Sequence, residues 1–228
     1  MKKKNNNALI LFVKAPRIGE VKTRLQPELT PDQSVMLYRA MVEDFVNKFN
    51  NLSFCDLKIF FFPVNANKEM VRWLGDQLDY FPQQGKDLGE RMHNAITEML
   101  KQNYEKVAVI GSDIPTLDST TIVRAFTSLE GYDVVLGPCK DGGYYLIGMK
   151  QPHPELFEEI SWGTSVVLRQ TIQKARTANL EIVQIEKKSD IDTYAEVKDL
   201  WKLLKKRNTQ EAYSFKSKTY EILKTFFN

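Results

Sequence analysis

Four cations and one glycine follow directly on an apolar run. Ala8–Val13 gives way to Lys14-Ala15-Pro16-Arg17-Ile18-Gly19-Glu20-Val21-Lys22-Thr23-Arg24-Leu25. Lys14, Arg17, Lys22 and Arg24 supply the charge that a di- or triphosphate requires, and Gly19 lets the backbone come close to it. In open α/β sheets ligands sit beyond the carboxyl ends of the strands, and the first strand commonly meets the phosphates of a nucleotide. The loop is not a Walker A motif. Lys22-Thr23 is preceded by Val21, and no earlier glycine has the required spacing. The alternative is a solvated basic loop behind an edge strand.

Carboxylates recur at two later turns. In Val109-Ile110-Gly111-Ser112-Asp113-Ile114-Pro115, a lone aspartate stands just past an apolar run and faces the same crevice. Magnesium takes one or two protein carboxylates, with water and substrate phosphates completing its shell, which suits Asp113. Otherwise Asp113 caps the turn that Pro115 closes. Asp190 and Asp192, in Ser189-Asp190-Ile191-Asp192-Thr193, point the same way in an extended segment, so one could be a second ligand. Their competing role is to favour the helix that a Thr193/Glu196 capping box opens.

Three further segments could touch substrate. Gln83-Gln84-Gly85-Lys86-Asp87-Leu88-Gly89-Glu90-Arg91 offers Gln84 for a base edge, Gly85 for close approach and Arg91 for a phosphate; a capped helix behind a polar turn explains it equally. Asp141-Gly142-Gly143-Tyr144-Tyr145 reads as a hairpin turn, or as room for a sugar with Asp141 on its hydroxyls. Trp162-Gly163-Thr164-Ser165 offers a stacking wall and hydroxyl donors, or a core tryptophan beside an ordinary cap.

Other chemistries lack their parts. His93 and His153 are the two histidines, neither near a Ser or Cys motif, which disfavours a triad-type nucleophile. No Gly-x-Gly-x-x-Gly fingerprint is present, which disfavours a dinucleotide dehydrogenase. Cys55 and Cys139 suggest neither a disulfide framework nor a zinc site. The net charge of +3 comes from mixed acids and bases, with excess in Lys2-Lys3-Lys4 and from Lys202 to Lys224, and does not point to a nucleic-acid partner. The first apolar run ends at Lys14, too short for a secretory signal or a membrane span, so the expectation is a cytoplasmic protein.

Positioning these residues requires alternating elements. Strand-like runs lie at 8–13, 57–62, 107–110, 134–136, 144–149 and 182–185. Helix patterns lie between them: 30–49 opened by Thr30-Pro31-Asp32-Gln33, then 67–78, 87–101, 120–129, 165–178 and 193–206. The alternation predicts a three-layer α/β/α sandwich on a mixed, mostly parallel sheet, with a local antiparallel element at the Asp141 turn. The 228 residues, 43% apolar and 27% charged, fit one domain over 1–228 with a helical extension from about 207. That extension carries Phe215, Tyr220, Leu223, Phe226 and Phe227.

Taken together, Lys14-Ala-Pro-x-x-Gly-x-x-Lys22-Thr-Arg-Leu25, Gln84-Gly-x-Asp-Leu-Gly-Glu-Arg-Met92, Gly111-Ser-Asp-x-Pro115, Asp133-Val-Val-Leu-Gly-Pro, Asp141-Gly-Gly-Tyr-Tyr-Leu-Ile-Gly148, Trp162-x-Thr-Ser165 and Asp190-Ile-Asp-Thr193 resemble one family. It is the radical-SAM/selenodomain-associated transferases, also described as arsenosugar-biosynthesis glycosyltransferases, within the GT-A nucleotide-diphospho-sugar transferases. The resemblance covers roughly Ala8 to Leu200. It implies a nucleotide-diphospho-sugar donor, a small-molecule acceptor, and Mg²⁺ or Mn²⁺ held by Asp113 and Asp192. Residues and resemblance together lead to the expectation of donor phosphates on Lys14, Arg17, Gly19, Lys22, Arg24 and Arg91, with Gln84 and Gly85 near base or ribose. Gly142, Gly143, Tyr144, Trp162 and Thr164 would line the substrate pocket, and Asp141 would act as general base. One departure is that many GT-A enzymes carry Asp-x-Asp, whereas Pro115 stands at the second acidic position here. The Lys22, Asp113 and Asp190–Thr193 motifs are also similar to those of phospholactate guanylyltransferases. Nucleotidyl transfer from a nucleoside triphosphate is therefore the alternative, and a non-catalytic nucleotide-binding protein the second; on any of these readings the protein is expected to be a monomer or homodimer.

Overall fold

The side chains of β1 (Asn7–Lys14) alternate between two cores. Leu9, Leu11 and Val13 enter one, Ala8 and Ile10 the other. That is the two-residue period expected of a strand covered on both faces. The structure, a computed structural model, describes residues 4–210 and 217–227. The remaining strands are β2 (Asp56–Phe62), β3 (Asp79–Pro82), β4 (Lys106–Ile110), β5 (Val134–Pro138), β6 (Tyr144–Met149) and β7 (Ile182–Gln184). They form a seven-stranded sheet in the order β3-β2-β1-β4-β6-β5-β7. β6 runs antiparallel to β4 and β5, and the other pairings are parallel.

Helices cover both faces, completing the predicted α/β/α sandwich. α1 (Pro31–Phe49), α2 (Asn67–Leu74) and α4 (Ser119–Gly131) bury Phe45, Met70 and Ile122 against one face. On the other face α3 (Leu88–Lys101) and α5 (Val167–Thr177) bury Ile96, Met99 and Ala175. Thr30 closes the expected capping box on α1 with Gln33, satisfying amide groups that the first turn leaves without helical partners. α2 stops at Leu74 rather than Leu78, because Gly75 adopts φ 92°, a conformation that ends helices and that side-chain-bearing residues avoid. β3 was not expected. It is a four-residue edge strand ending in proline, with no fully buried residue to give a periodic signal, and an ion pair between Lys58 and Asp79 (2.5 Å) joins it to β2.

Two features bring the site together. First, the chain leaves β1 towards β2, while β4 lies on the opposite side of β1, so a crevice opens where the winding reverses. Second, α6 (Tyr194–Gln210) and α7 (Lys218–Phe227) build a third apolar cluster with the start of the chain. It holds Leu25, at the end of the cationic loop, in one cluster with Ile191, which lies between two of the aspartates. Tyr220, Leu223, Phe226 and Phe227 join it, and α7 is anchored by Asp44, whose carboxylate accepts from Ser217 Oγ and from the Lys218 and Thr219 amides. Phe215, Lys2 and Lys3 lie outside the described residues.

Leu25 is fully buried, so Leu25→Ala is expected to cost about 2–5 kcal/mol, the range for a truncated core leucine. Urea unfolding checks this; a loss below about 1 kcal/mol would mean that the third cluster does not clamp the loop.

Candidate active site

A single ammonium group joins the cationic loop to both acidic turns. Lys22, held in the left-handed conformation (φ 49°, ψ 39°), drives a side chain only 5% exposed beneath the crevice. Its Nζ lies 2.5 Å from Asp113 Oδ1 and 3.4 Å from Asp192 Oδ1, and donates to the Ile191 carbonyl at 2.6 Å. Arg24 adds a contact of 3.1 Å to the other oxygen of Asp192. The turns are also tied through the backbone, since the Ile191 amide donates to the Asp113 carbonyl at 2.9 Å. Asp113 is thus engaged by Lys22 across the crevice. Capping of α6 falls to Thr193 and Glu196, which make the predicted box and leave Asp192 free for the cations.

Above this bridge lies a cavity of about 450 Å³ with a cationic wall. Lys14, Lys22, Arg24 and Arg91 line it, with Phe12, Tyr38 and Phe62. The Tyr38 hydroxyl accepts from the Lys14 amide and donates to the Lys14 carbonyl, fixing the point where β1 ends. Burial pushes the Tyr38 phenol up, so it remains protonated. Arg91 stacks on the Phe62 ring at 4.1 Å and donates through Nε to the Gly85 carbonyl.

Several expected nucleotide contacts lie outside this lining. Arg17 turns to α2, where Glu69 takes its guanidinium in two hydrogen bonds (2.7 and 3.1 Å). Gly19, at φ 81°, serves the turn and does not line the cavity. Gln84 lines a separate groove with Phe81 and Asn94, and Gly85 is absent from the cavity wall. The neighbouring Gln83 takes that place, buried and donating to the Phe60 carbonyl at 2.8 Å. Two adjacent glutamines gave no sequence signal as to which one faces inward. Tyr38 was hidden similarly, since its helical spacing reads as core.

A second lobe of about 330 Å³ adjoins the first and shares Arg24, Gly111, Asp113, Tyr144 and Asp192 with it. Asp141, Gly143, Trp162, Thr164 and Asp190 line it, whereas Gly142 does not. Gly142 is structural: at φ 92° it passes so close to Ser165 that a Cβ would lie 2.1 Å from the Ser165 carbonyl oxygen. Asp141 Oδ1 accepts from the Gly143 amide, forming the hairpin turn between β5 and β6. Trp162 lies on Gly89 at the start of α3, where a Cβ would meet its ring at 2.5 Å. Thr164 is not a helix cap; its hydroxyl donates to the Ser161 carbonyl, and α5 starts at Val167.

The donor chemistry fits a hard divalent cation. Asp113 and Asp192 already share one cation position, and their side chains stay 48% and 31% exposed. Carboxylate oxygens open to solvent are what Mg²⁺ and Mn²⁺ take. Cys139, whose spacing from Cys55 suggests no zinc site, lies with Asp141 and Asp190 such that their donor atoms are all within 4.8 Å of one another. Burial, followed by the nearby acids, pushes its thiol up and keeps it protonated, which leaves the oxygens as the better ligands.

Asp190 itself is pushed up to about 6, chiefly by burial and then by Asp141, Asp192 and Glu196. A carboxyl whose folded pKa lies above its unfolded value binds its proton more tightly in the native state. Stability therefore falls as pH rises from about 4 through about 6. In chelator, Asp190→Asn is expected to raise the unfolding midpoint above wild type at pH 7.5, with the gap shrinking as pH drops towards 4. A gap that does not vary with pH would contradict this assignment.

The chain as a whole is similar to several known proteins. A solved structure from Desulfovibrio desulfuricans G20, provisionally named a nucleotide-diphospho-sugar transferase, is 37% identical and has a TM-score of 0.85 over 97% of this chain and 95% of that one. A 2-phospho-L-lactate guanylyltransferase of Methanocaldococcus vulcanius is 25% identical over 146 residues, 62% of this chain. That match spans 61% of the relative's length. CMP:2-keto-3-deoxy-manno-octonic acid synthetase, solved with CTP, shares the fold at 7% identity, with a TM-score of 0.54 over 88% of this chain and 99% of that one. The family model described as "Uncharacterized protein conserved in bacteria (DUF2064)" matches residues 45–164, and the chain belongs to that bacterial family.

Proposed function

We propose that the protein is a transferase with a nucleotide-activated donor, moving a sugar from a nucleotide-diphospho-sugar to a small acceptor. The observation that carries this reading is the junction of a cationic lobe and a carboxylate lobe at Asp113 and Asp192. The provisional name of the Desulfovibrio desulfuricans relative, at 37% identity, supports a diphospho-sugar donor. The association with radical-SAM/selenodomain-type transferases and a cytoplasmic location belong to the same reading.

Lys14, Lys22, Arg24 and Arg91 bind the donor's phosphates, as concentrated charge in a partly enclosed cleft favours. Asp113 and Asp192 hold Mg²⁺ or Mn²⁺. When bound, the metal supplies positive charge that stabilises a leaving diphosphate. Trp162 and Gly143 shape the acceptor side. Asp141 uses one oxygen in its turn and offers the other to an acceptor hydroxyl as general base. The hydroxyl oxygen then attacks the anomeric carbon, its proton passes to Asp141, and the bond to the diphosphate breaks with its electron pair leaving on the nucleotide.

Nucleotidyl transfer is the second reading, favoured by the match to the guanylyltransferase. The same cations would then hold a triphosphate, and an acceptor phosphate would displace pyrophosphate. Product analysis separates the two. Turnover of a nucleotide sugar should release a nucleoside diphosphate; pyrophosphate released from a nucleoside triphosphate would establish the alternative, and neither product would indicate a binding protein. Asp113→Asn should lower kcat/KM by about 100-fold or more, the scale of losing one pre-organised electrostatic group. Lys14→Met should chiefly raise the KM for the donor, with little change in unfolding midpoint, because Lys14 is exposed. Unchanged kcat/KM in Asp113→Asn would rule out its metal role.

A further inference from the structure

The ammonium of Lys22 occupies the position between Asp113 and Asp192 where the proposed metal's charge is needed. We propose that Lys22 is an internal counter-cation that competes with the metal and yields the two carboxylates when donor phosphates draw it upward, so that metal and nucleotide load together. The inference rests on the reading of Asp113 and Asp192 as metal ligands.

Three observations support it. Lys22 touches both lobes' boundary residues at once, with Nζ 2.5 Å from Asp113, 3.4 Å from Asp192 and 2.6 Å from the Ile191 carbonyl. The charge on a lysine side chain only 5% exposed has to be matched by negative partners, and removing those partners is costly unless others replace them. Its exit is also prepared, because Lys22 lines the cationic cavity together with Lys14 and Arg91. Neither of those two is ion-paired among the described residues. A diphosphate in that cavity offers Lys22 new negative partners as the aspartates are taken by the metal. Arg24 cannot play the same part as fully, since its guanidinium reaches Asp192 at 3.1 Å from an exposed position and does not reach Asp113.

Thermodynamic reciprocity gives the consequence: whatever factor nucleotide adds to metal affinity, metal adds to nucleotide affinity. Phosphate ligation of the metal also couples the two, so the decisive measurement is metal binding without nucleotide. Free Mn²⁺ is followed by electron paramagnetic resonance during titration of the full chain, wild type and Lys22→Met, with Asp113→Asn as control. Lys22→Met should bind Mn²⁺ alone about tenfold more tightly than wild type. Addition of GDP or UDP should tighten Mn²⁺ binding less in this variant than in wild type.

Loss of Lys22 leaves two carboxylates facing each other and lowers stability in chelator, so a second readout accompanies the first. Mn²⁺ should raise the unfolding midpoint of Lys22→Met more than that of wild type, by preferential binding to the native state. Equal or weaker Mn²⁺ binding by Lys22→Met, with Asp113→Asn still abolishing it, overturns the counter-cation role and leaves the metal site standing. Mn²⁺ binding that ignores Asp113, or no binding by any form with or without nucleotide, overturns both.

Discussion

Two carboxylates from distant turns meet one buried ammonium, and the rest of the site is arranged around that contact. Lys22 brings a charge from the loop after β1, Asp113 from the loop after β4, and Asp192 from the segment before α6. Their convergence rests on a charge that cannot stay buried without negative partners, on the Ile191–Asp113 backbone bond, and on the packing of Leu25 with Ile191. Stability and the candidate chemistry therefore share one centre: the residues that satisfy Lys22 are those that would hold a metal.

The sheet order explains why the contact forms where it does. β1 and β4 lie side by side, and the chain leaves them in opposite directions, so their carboxyl ends are uncovered by crossover connections. Antiparallel β6 then inserts between β4 and β5 and places the Asp141 turn at the same end. The result is a cleft divided by charge, with cations over β1 and α3 and carboxylates over β5 and the last turn. A polyphosphate donor and a hydroxyl-bearing acceptor, as proposed above, would make opposite demands on their surroundings, and this division would suit both.

Much of this was legible in the amino-acid order, for physical reasons. Long strands buried on both faces, such as Ala8–Val13, announce themselves as apolar runs, and Thr30-Pro31-Asp32-Gln33 states its helix start in side-chain chemistry. β3 was not legible because an edge strand of four half-buried residues has no period to read. Single residues were harder still. Arg17 looks like its neighbours Lys14 and Lys22, but Glu69 lies 52 positions away and nothing local reveals the pairing. Gln83 and Gln84 differ only in which side of the strand's end they face, as successive side chains must. Cys139 among the acids is likewise a product of the β5–β6 turn meeting the Asp190 segment. Motif order reveals which loops meet; side-chain direction within a loop depends on tertiary partners.

The most direct measurement of the central contact is a double-mutant cycle on Lys22 and Asp113. Unfolding free energies would be determined in urea, in chelator, for Lys22→Met, Asp113→Asn and the double variant. The contact predicts a double variant less damaged than the sum of the singles by about 0.5–3 kcal/mol. Agreement of the sum and the double variant to within about 0.3–0.5 kcal/mol would mean that the loops carrying these residues do not meet through this pair.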